Sequence, residues 1–389
     1  MAARLDADNP RGMRIARVST VPYFVATQLA EQIEFLARAG ARVTVITSPG
    51  PELRRLASDE ISIEVVDIPR SLHPLRDAAA LFRLYRCFRR HRFDIVHSTT
   101  PKAGLLCAIA GWLARIPIRL HTFTGQPWVN LTGPLRVFAK GADWVIGHLT
   151  TRCYADSASQ RTFLIAEGMV TAARIDVLGK GSLAGVSTRR FDPARWSAAD
   201  KAALRGELNI TTASRVLLFV GRVTHDKGIN ELLRAFDTLR QEGRDLTLLL
   251  VGPLDGEHGG IDMALDQPHV RHVGYSDCPE KYMAIADLLC LPSYREGFGT
   301  VVIEAAAMGL PTLGTRIYGL TDAVEDGVTG MLVPPRDVES LAAAMRRLLD
   351  EPGLLARMGR AAQDRCRQYF DSAKVNALQM EEYIRLLTS

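Results

Sequence analysis

The chain has 389 residues, a charged fraction of 23% and a hydrophobic fraction of 47%. These proportions are typical of a soluble globular protein and exclude a disordered or fibrous chain, and the length is enough for two domains with separate cores. The net charge of +5 is uneven, because residues 1–190 hold 26 Lys and Arg against 15 Asp and Glu, and the remainder holds 22 against 28. A basic first half either meets an anionic partner, such as a phosphorylated lipid or a membrane surface, or is merely rich in arginine.

Several other classes of protein are excluded by composition. The cysteines show no C-x-x-C spacing and lie mostly in apolar surroundings, which indicates reduced core residues of a cytoplasmic protein. They are Cys87, Cys107, Cys153, Cys278, Cys290 and Cys366. The polar segment Met1–Met13 argues against a signal peptide, and the longest uncharged apolar segment, Ala103–Ala114, is too short to span a bilayer. The basic residues lack interleaved aromatic residues, so nucleic acid is not an expected partner.

Strand-like runs alternate with amphipathic helical patterns along the first half of the chain. The helical patterns are clearest at Ala26–Ala39 and Ala103–Ala114. The predicted strands are Arg14–Ser19, Arg42–Thr47, Ile63–Ile68, Asp94–Ser98, Arg119–Phe123, Arg152–Ala155 and Asp176–Leu178. This alternation is typical of a parallel sheet with helices on both faces. The segment Gly179–Trp196 breaks it with glycines, serines and arginines, so we predict the interdomain linker there.

The alternation restarts in the second half. The predicted helices are Ile229–Gln241, Thr300–Met308, Val338–Leu349 and Ala373–Leu387. The predicted strands are Val216–Val220, Leu246–Val251, Val270–Val273, Leu288–Leu291 and Pro311–Thr315. We therefore predict an α/β protein with two doubly wound, Rossmann-like domains facing a cleft, with ligands at the carboxyl ends of the strands. The predicted domains are 1–185 and 186–372, and the segment 373–389 is expected to pack back on the first domain.

The segment Glu296–Glu304 places two carboxylates eight positions apart, the first on a short glycine turn and the second in an apolar helical run. It follows the predicted buried strand Leu288–Leu291. A strand, a glycine turn and a helix start form an anion site, because free backbone N–H groups and the positive end of the helix dipole converge there. Carboxylates accept hydrogen bonds from the hydroxyls of a sugar or a ribose. Phosphate beside a polyol indicates a nucleotide sugar.

The segment Gly221–Gly228 follows the strand Val216–Val220 and carries two cations at the mouth of the next helix. Arg222 offers a planar fork for diphosphate oxygens, and Lys227 offers a point charge. Two cations can replace the metal ion that neutralises a leaving diphosphate in many nucleotide-sugar enzymes. The alternative is a solvated surface loop, which the presence of the Glu296–Glu304 segment in the same domain disfavours.

Together with the segment Gly319–Gly330, these motifs resemble those of the retaining glycosyltransferases of family 4, which have the GT-B fold. The resemblance covers almost the whole chain. Within the family, the chain is most similar to bacterial transferases that build O-antigen, capsule or lipid-linked glycans. The first-half segments Thr20–Pro22, His97–Gly104 and His121–Gly125 carry that closer likeness.

The resemblance implies that the second domain binds the donor. Arg222 and Lys227 would hold the diphosphate, Glu296 would bond hydroxyls of the donor sugar, and Glu304 would hold the ribose. The other donor-binding residues would be Gly221, Phe298, Gly299 and Thr300, the last three through backbone N–H groups that meet a phosphate.

The implied mechanism is front-face substitution with retention of configuration. The leaving diphosphate accepts the proton of the acceptor, and its electrostatic stabilisation is the main contribution of the protein. The catalytic residues would be His121, Arg222, Lys227 and Glu296, with no metal ion and no cofactor beyond the nucleotide sugar. His121 matches the active-site histidine of the family, although a lone histidine at a strand end is often structural.

A basic helix on the acceptor side predicts contact with a membrane. Leu81, Leu84, Tyr85 and Phe88 form an apolar helical stripe, and the arginines of 83–92 crowd the remaining faces. This pattern is typical of a membrane-surface helix, and the alternative is a sheet-packing helix with a solvated basic face.

Other first-half residues are assigned to the acceptor. Lys102 stands where a strand gives way to a helix, and we predict that it meets the diphosphate of a lipid-linked acceptor; the alternative is an ordinary surface lysine. Thr122 is assigned to the acceptor beside His121. Many relatives carry a glycine loop after the first strand, but this chain has Tyr23 and Phe24 there, which would form an apolar acceptor wall or a hydrophobic staple on the first helix.

These inferences predict a cytoplasmic glycosyltransferase bound peripherally to the inner face of the cytoplasmic membrane. It would move a sugar, expected to be an N-acetylhexosamine linked to UDP, to a polyprenyl-diphosphate-linked saccharide. Two other functions stay open: transfer to a soluble acceptor, and binding of a nucleotide sugar without catalysis.

Overall fold

The computed structural model describes residues 12–56, 60–254 and 267–388, without the side chain of Arg55. The chain forms two compact units. Unit 1 comprises Met1–Gly185 and Ser372–Ser389, and unit 2 comprises Val186–Asp371. Most of the N-terminal segment on which the signal-peptide expectation depends lies outside the described residues. The chain therefore passes from unit 1 into unit 2 and finishes again in unit 1.

Unit 1 is built on a parallel sheet whose seven described strands have the order β3-β2-β1-β4-β5-β6-β7. They are β1 (Arg14–Val18), β2 (Arg42–Thr47), β3 (Ile61–Val65), β4 (Ile95–Thr99), β5 (Ile118–Phe123), β6 (Arg152–Ala155) and β7 (Ile175–Asp176). Successive side chains of β1 serve opposite faces, because Ile15 joins one apolar cluster and Ala16 joins another. Val18 stands opposite Ile46 of β2 and Ser98 of β4, which fixes the register at the centre of the sheet.

Helices cover both faces of this sheet. They are α1 (Pro22–Phe24), α2 (Ala30–Arg38), α3 (Pro74–His91), α4 (Pro101–Leu113), α5 (Gly133–Leu149), α6 (Ala158–Ala166) and the last helix of the chain. A π-helical stretch, Val25–Leu29, joins α1 to α2. The helices α3, α4 and α5 pack side by side, whereas the last helix packs against α2 with the other apolar cluster. The predicted sheet with helices on both faces is thus confirmed.

The apolar stripe predicted on α3 faces the core. Leu84 and Phe88 are fully buried and pack with Val96 of β4, and Leu81 and Tyr85 lie partly buried against the same cluster. The interpretation of this stripe as a membrane-contacting face is therefore wrong, because its side chains are already used to attach α3 to the sheet. The arginines of the helix lie on the solvent side, as the alternative of a sheet-packing helix predicts.

Two predicted strands of unit 1 are displaced. The strand expected at Asp176–Leu178 is found at Ile175–Asp176. The strand expected at Ile63–Ile68 is found at Ile61–Val65. Its apolar residues continue past the end of the strand, but there the backbone N–H of Ile68 donates to the Ser48 hydroxyl at 3.0 Å. The Ser48 hydroxyl takes the place of a backbone acceptor from the neighbouring strand, so the strand ends before the apolar run does.

Unit 2 contains a second parallel sheet, whose described strands have the order β10-β9-β8-β11-β12-β13. They are β8 (Arg215–Val220), β9 (Leu246–Val251), β10 (Val270–Gly274), β11 (Leu288–Leu291), β12 (Thr312–Thr315) and β13 (Gly330–Val333). Leu217, Leu249 and Leu289 are fully buried, since helices cover both faces. The strand β13 was not predicted, because four apolar residues before Pro334 are too short a run to be distinguished from a loop.

The helices of unit 2 alternate with its strands. They are α7 (Ala198–Glu207), α8 (Ile229–Gln241), α9 (Pro279–Met283), α10 (Thr300–Ala307), α11 (Leu320–Ala323), α12 (Val338–Asp350) and α13 (Leu354–Tyr369), and unit 1 ends the chain with α14 (Ser372–Thr388). A capping box between Ser197 and Asp200 begins α7, and the Asp337 side chain caps α12.

Each sheet has one point where the strand order changes direction. In unit 1 it lies between β1 and β4, and in unit 2 it lies between β8 and β11. The loops that follow those two strands diverge to opposite faces of the sheet and leave a crevice at its carboxyl edge, where ligands of doubly wound sheets bind. The fold thereby places the loops after β8 and β11 together.

Candidate active site

The two motifs of unit 2 are adjacent at this crevice. Gly221–Gly228 follows β8, and the turn Ser293–Gly299 follows β11. The amino group of Lys227 donates to Oε1 of Glu296 at 2.5 Å, and the hydroxyl of Ser293 donates to the same oxygen at 2.8 Å. The side chains of Lys227 and Glu296 are 17% and 14% exposed. A largely desolvated ion pair therefore joins the two motifs, which are distant in the sequence and adjacent in the structure.

A second carboxylate adds to this cluster of charges. Burial raises the pKa of Asp226, but a hydrogen bond from the Thr224 hydroxyl and the nearby charges of Lys227, Arg295 and Arg222 outweigh burial and lower the pKa below its usual value. The effect of Arg222 on Asp226 places the exposed guanidinium at the same edge of the sheet. Three cations therefore lie around the two carboxylates of Asp226 and Glu296, which leaves a surplus of one positive charge for an anionic ligand.

Glycines let the backbone segments of the site approach closely. A Cβ atom on Gly228 would stand 2.8 Å from the carbonyl carbon of Pro292, so no other residue fits where the first motif meets the end of β11. A Cβ on Gly319 would stand 2.6 Å from the carbonyl oxygen of Gly297. Both glycines also have positive φ angles, of 71° and 84°. The third motif, Gly319–Gly330, is thus packed directly on the Glu296–Gly297 turn.

The helix α10 begins directly after this turn. Gly299 caps it with a φ of 84°, and Thr300 is its first residue. The first N–H groups of a helix have no acceptor inside the helix, so the start of α10 offers donors and the positive end of a dipole. The Phe298 side chain turns away into the core and packs on Phe370, with ring centroids 5.2 Å apart. At Phe298 only the backbone is therefore available to a ligand, as the assignment of phosphate to its N–H group requires.

Glu304, one turn into α10, has an unusual environment. Burial raises the pKa of its carboxyl to about 7, with Arg190 opposing the shift and Glu280 adding to it. The guanidinium of Arg190 is committed to Glu280, with donor distances of 2.9 and 3.0 Å. The cation that lowers the pKa of Glu304, Arg190, therefore already forms an ion pair with Glu280. The ionised form of Glu304 would be stabilised by hydrogen-bond donors from a ligand.

In unit 1, the histidine predicted at the active site is deeply buried. His121 lies within β5, two residues before its end, and is 1% exposed. Its Nδ1 is 3.0 Å from the hydroxyl of Ser98, and its ring packs on Phe123. Burial lowers the pKa of His121 to about 3, so the imidazole is neutral at physiological pH. The side chain lies under α4 and α5, because a Cβ on Gly104 would be 2.7 Å from its Nδ1 and 2.9 Å from Ile146.

Thr122 belongs to a buried chain of hydrogen bonds that begins at Arg17 of β1 and passes through Tyr383 of the last helix. Arg17 donates to the Tyr383 hydroxyl at 3.1 Å, that hydroxyl is 2.6 Å from Nδ1 of His97, and Nε2 of His97 is 2.7 Å from the Thr122 hydroxyl. Because arginine can only donate, the order of donors that satisfies the chain makes Tyr383 donate to Nδ1 and His97 donate to Thr122. Burial lowers the pKa of His97 well below its usual value, in agreement with a neutral ring.

The two remaining acceptor-side candidates lie at the edge of unit 1. Lys102, at the start of α4, forms an ion pair with Asp77 of α3 at 2.6 Å and also donates to the carbonyl of Ser71. This partner was not foreseen, and a diphosphate would have to compete with it. Tyr23 lies in α1 after β1 and is 42% exposed. The loops that follow β1 and β4 meet at the switch point, where the hydroxyls of Thr20 and Thr100 are 3.1 Å apart.

Comparison with known proteins gives the family. A family model described as "Glycosyl transferase 4-like domain" matches residues 25–181, and one described as "Glycosyl transferases group 1" matches residues 200–365. Glycogen synthase of Mycobacterium tuberculosis is 31% identical over 308 residues, which cover 76% of this chain and 70% of that protein. The chain is a family 4 glycosyltransferase.

Other similar proteins agree with this family. The capsular polysaccharide biosynthesis glycosyltransferase CapM of Staphylococcus aureus is 28% identical over 347 residues, covering 88% of this chain and 89% of CapM. The crystal structure of Anabaena HepE in complex with UDP and glucose superposes with a TM-score of 0.77 at 22% identity, covering 95% of this chain and 98% of HepE. The resemblance to the GT-B fold and to the retaining glycosyltransferases is thereby confirmed.

The charge cluster of this glycosyltransferase contains residues that the sequence motifs did not single out. Ser293 and Asp226 both bond within the charge cluster, and both lie inside or beside the quoted motifs, so their position was the available signal. The pair Arg190–Glu280 spans 90 positions and leaves no trace in the sequence. Within the described parts of the chain, no group of three or more His, Cys, Asp or Glu side chains could hold a metal ion. The helices described there are all too short or too polar to cross a bilayer.

Proposed function

We propose that this glycosyltransferase moves a sugar from a UDP-sugar to a saccharide carried on polyprenyl diphosphate, in the assembly of a bacterial surface polysaccharide. The observation that supports the donor half is the pairing of Lys227 with Glu296 at the switch point of unit 2, with Arg222 beside it. A diphosphate meets the cations while the sugar hydroxyls meet the carboxylate. The name of CapM and the UDP and glucose in the HepE crystal structure agree with this choice.

The proposed chemistry follows from these charges. The bond from the anomeric carbon to the diphosphate breaks, and the acceptor oxygen forms its bond on the same face of the sugar. The proton of the acceptor hydroxyl passes to an oxygen of the departing diphosphate. Lys227 and Arg222 stabilise the negative charge that grows on that diphosphate, without a metal ion. Glu296 orients the sugar through its hydroxyls, and lysine can serve both partners because it has three donors.

The acceptor half rests on unit 1. Its strong basic excess favours a negatively charged acceptor and a peripheral position on the inner face of the cytoplasmic membrane. Tyr23 and Thr122 stand near the carboxyl edge of its sheet, and Lys102 would reach the lipid diphosphate after release from Asp77. An N-acetylhexosamine is the proposed sugar.

Transfer to a soluble acceptor is the second candidate. The commitment of Lys102 to Asp77 favours it, because the cation assigned to the lipid diphosphate already has a partner. Glycogen synthase among the relatives also agrees with it.

A donor panel with two acceptor classes tests the proposal. Thermal shift or calorimetry with UDP, GDP and ADP, with and without magnesium, should give selective stabilisation by UDP that does not depend on the metal. Transfer from UDP-N-acetylhexosamines is then measured with a polyprenyl-diphosphate saccharide and with free saccharides. Transfer to the lipid-linked acceptor alone supports the proposal, and transfer to free saccharides alone selects the second candidate. Binding of UDP without transfer to any acceptor would identify a non-catalytic protein.

A further inference from the structure

The helices α3, α4 and α5 form one continuous layer on unit 1, which we call the outer helix layer. Neighbouring helices of the layer are in contact, and their inner side chains belong to the core clusters of the sheet. Because the predicted apolar stripe of α3 is buried in the core, any contact with a membrane must use other side chains. The outward side of the layer is where such side chains are found.

Large apolar side chains are concentrated on that outward side. Val137 is 74% exposed, Trp144 is 48% exposed, and Leu75 at the start of α3 is 88% exposed. The others on the layer are Phe82, Trp112, Leu113, Leu135 and Phe138, all exposed. Scattered single apolar residues on a surface need no explanation, but a group of this size on adjacent helices indicates an interaction surface.

The orientation of α5 is fixed by its inner side. Asp143, Ile146 and Gly147 are buried, and a Cβ on Gly147 would overlap the backbone carbonyl of Met169. Because the helix is seated backbone to backbone at this glycine, it cannot rotate to bury the opposite side. Val137 and Trp144 lie seven positions apart on that opposite side, and they remain exposed together.

The charge of the outer helix layer is almost entirely positive. Its acidic residues are Asp77, which is paired with Lys102, and Asp143, which is buried and accepts a hydrogen bond from Trp128. Its cations are Arg76, Arg83, Arg86, Arg89, Arg90, Lys102, Arg136 and Lys140. Arg86 lies over the exposed ring of Phe82, with 5.8 Å from the guanidinium carbon to the ring centroid. Two of the cations are paired with acids of neighbouring segments, Arg76 with Asp67 at 2.7 Å and Lys140 with Glu167 at 2.6 Å. The arginines of α3 from Arg83 to Arg90 keep the layer basic, and they alternate with exposed apolar side chains.

We propose that the outer helix layer docks on the surface of a bilayer that contains anionic lipids, with the first two turns of α5 inserted among the acyl chains. Leu135, Val137 and Phe138 enter the apolar region, Trp144 and Trp112 lie at the interface, and the arginines of α3 contact lipid phosphates. A second copy of the chain is disfavoured as the occupant, because two such basic faces would repel each other. This inference rests on the proposed lipid-linked acceptor.

The position of α5 connects docking to the acceptor. As the crossover between β5 and β6, α5 begins at the carboxyl edge of the sheet, where Thr20 and Thr100 meet. Its inserted end therefore lies at the same edge as the residues assigned to the acceptor. A lipid-linked substrate could reach them without leaving the bilayer.

Vesicle binding tests the proposal directly. The full chain is sedimented with vesicles of phosphatidylcholine alone and of phosphatidylcholine with phosphatidylglycerol, at low and high salt. We expect binding to the anionic vesicles that weakens with salt, and a loss of about 10-fold or more in the combined variant Leu135→Ser, Val137→Ser and Phe138→Ser. The single variant Val65→Ser is the matched control for Val137→Ser, since Val65 is 55% exposed and lies on β3 on the same face as Ile63, which packs with α2 on the side of the sheet opposite the layer. Val65→Ser should bind within about twofold of the unaltered protein.

The outcomes that overturn the proposal are distinct from failure of the proposed function. Absence of vesicle binding, or equal binding by the combined variant, overturns docking by α5. A dimer in analytical ultracentrifugation that the combined variant dissociates also overturns it. Transfer to a short-chain, water-soluble analogue of the lipid-linked acceptor should be unchanged in the combined variant. If the unaltered protein binds vesicles but transfers to no acceptor, docking stands and the proposed function fails.

A fluorescence measurement on the exposed tryptophans of α4 and α5 completes the test. Vesicles with brominated acyl chains should quench the emission of Trp112 and Trp144, which are exposed, and should leave the fully buried Trp128 unaffected. Quenching that persists in a double variant with Trp112→Phe and Trp144→Phe would contradict this orientation.

Discussion

Lys227 and Glu296 lie 69 positions apart in the chain, yet they form an ion pair that joins the two motifs of unit 2. Each neutralises the other in the absence of a ligand, and Ser293 holds the carboxylate in place. Partial desolvation strengthens the pair and also makes each charge costly if its partner is removed. The two residues should therefore behave as one unit when a donor binds.

Replacement of either residue should reduce turnover strongly. Lys227→Ala and Glu296→Ala are each expected to lower kcat by about 100-fold or more, because each removes stabilisation of the charge that develops on the diphosphate or the sugar. The double variant should lose much less than the product of the two single losses, since the residues are coupled. Steady-state kinetics checks this, with Lys201→Ala of α7 as the control. Losses below about threefold in both single variants would refute the site.

The raised pKa of Glu304 predicts a pH-dependent donor affinity. Above its pKa of about 7 the carboxylate accepts hydrogen bonds from a ribose, and below it the protonated group loses acceptor capacity. The KM for the donor should therefore rise as the pH falls through about 7, by up to about tenfold per pH unit. Glu304→Gln should remove this dependence and raise the KM at high pH. A pH profile that is the same in both proteins would exclude Glu304 from the donor site.

At the scale of single elements, α4 depends on a glycine that faces β5. Gly104 faces the ring of His121, and a Cβ atom on Gly104 would be 2.7 Å from Nδ1 of that ring. Gly104→Ala should cost about 1–3 kcal/mol in the free energy of unfolding, because the ring is enclosed and has no room to move. Gly141→Ala on α5 meets no atom within 4 Å and should instead stabilise the protein by about 0.5–1 kcal/mol. Denaturant unfolding of both variants checks the contrast, and equal effects would contradict the packing at His121.

The sequence pattern correctly predicts those helices and strands that are determined by their own residues. The strand β9 and the helix α8 are found at the predicted residues, since an uninterrupted apolar run and a clear helical period define them. The strand β3 is displaced because Ser48 ends its ladder from another segment. The orientation of α3 depended on which of its sides the sheet would bury, and the apolar stripe alone could not distinguish a sheet from a membrane.

The candidate site divides in the same way. Positions of Arg222, Lys227 and Glu296 at strand ends follow from the alternation of strands and helices, and the switch point then brings them together. Lys102 and Asp77 are 25 positions apart and lie on different helices, α4 and α3. The sequence does not show that these helices are neighbours. His121 was expected at the end of a strand, but its place inside β5 depends on the glycine opposite it.

For the whole molecule, the last helix is part of unit 1. Val375, Met380 and Tyr383 of α14 are buried, and Tyr383 bonds to Arg17 and His97 in the interior. A chain that ends at Asp371 should therefore lose the stability of unit 1, because its core is opened and buried polar groups lose their partners. Limited proteolysis followed by mass spectrometry should show cleavage confined to unit 1, with residues 186–371 resistant. Equal resistance in both units would show that α14 contributes little. The variant Tyr383→Phe is the milder control.

The two crossings of the chain are held side by side. The N–H of Val186 donates to the carbonyl of Phe370 at 2.8 Å, and Val186 pairs with Asp371 as an isolated bridge. The two ends of the segment 186–371 are thus neighbours in space, as they are in domains that tolerate insertion into a host. We therefore expect that this segment can be exchanged for the corresponding part of a relative, or placed in a surface loop of an unrelated protein. Under the proposed division of roles between the two units, such an exchange would change the choice of donor and leave that of the acceptor unchanged.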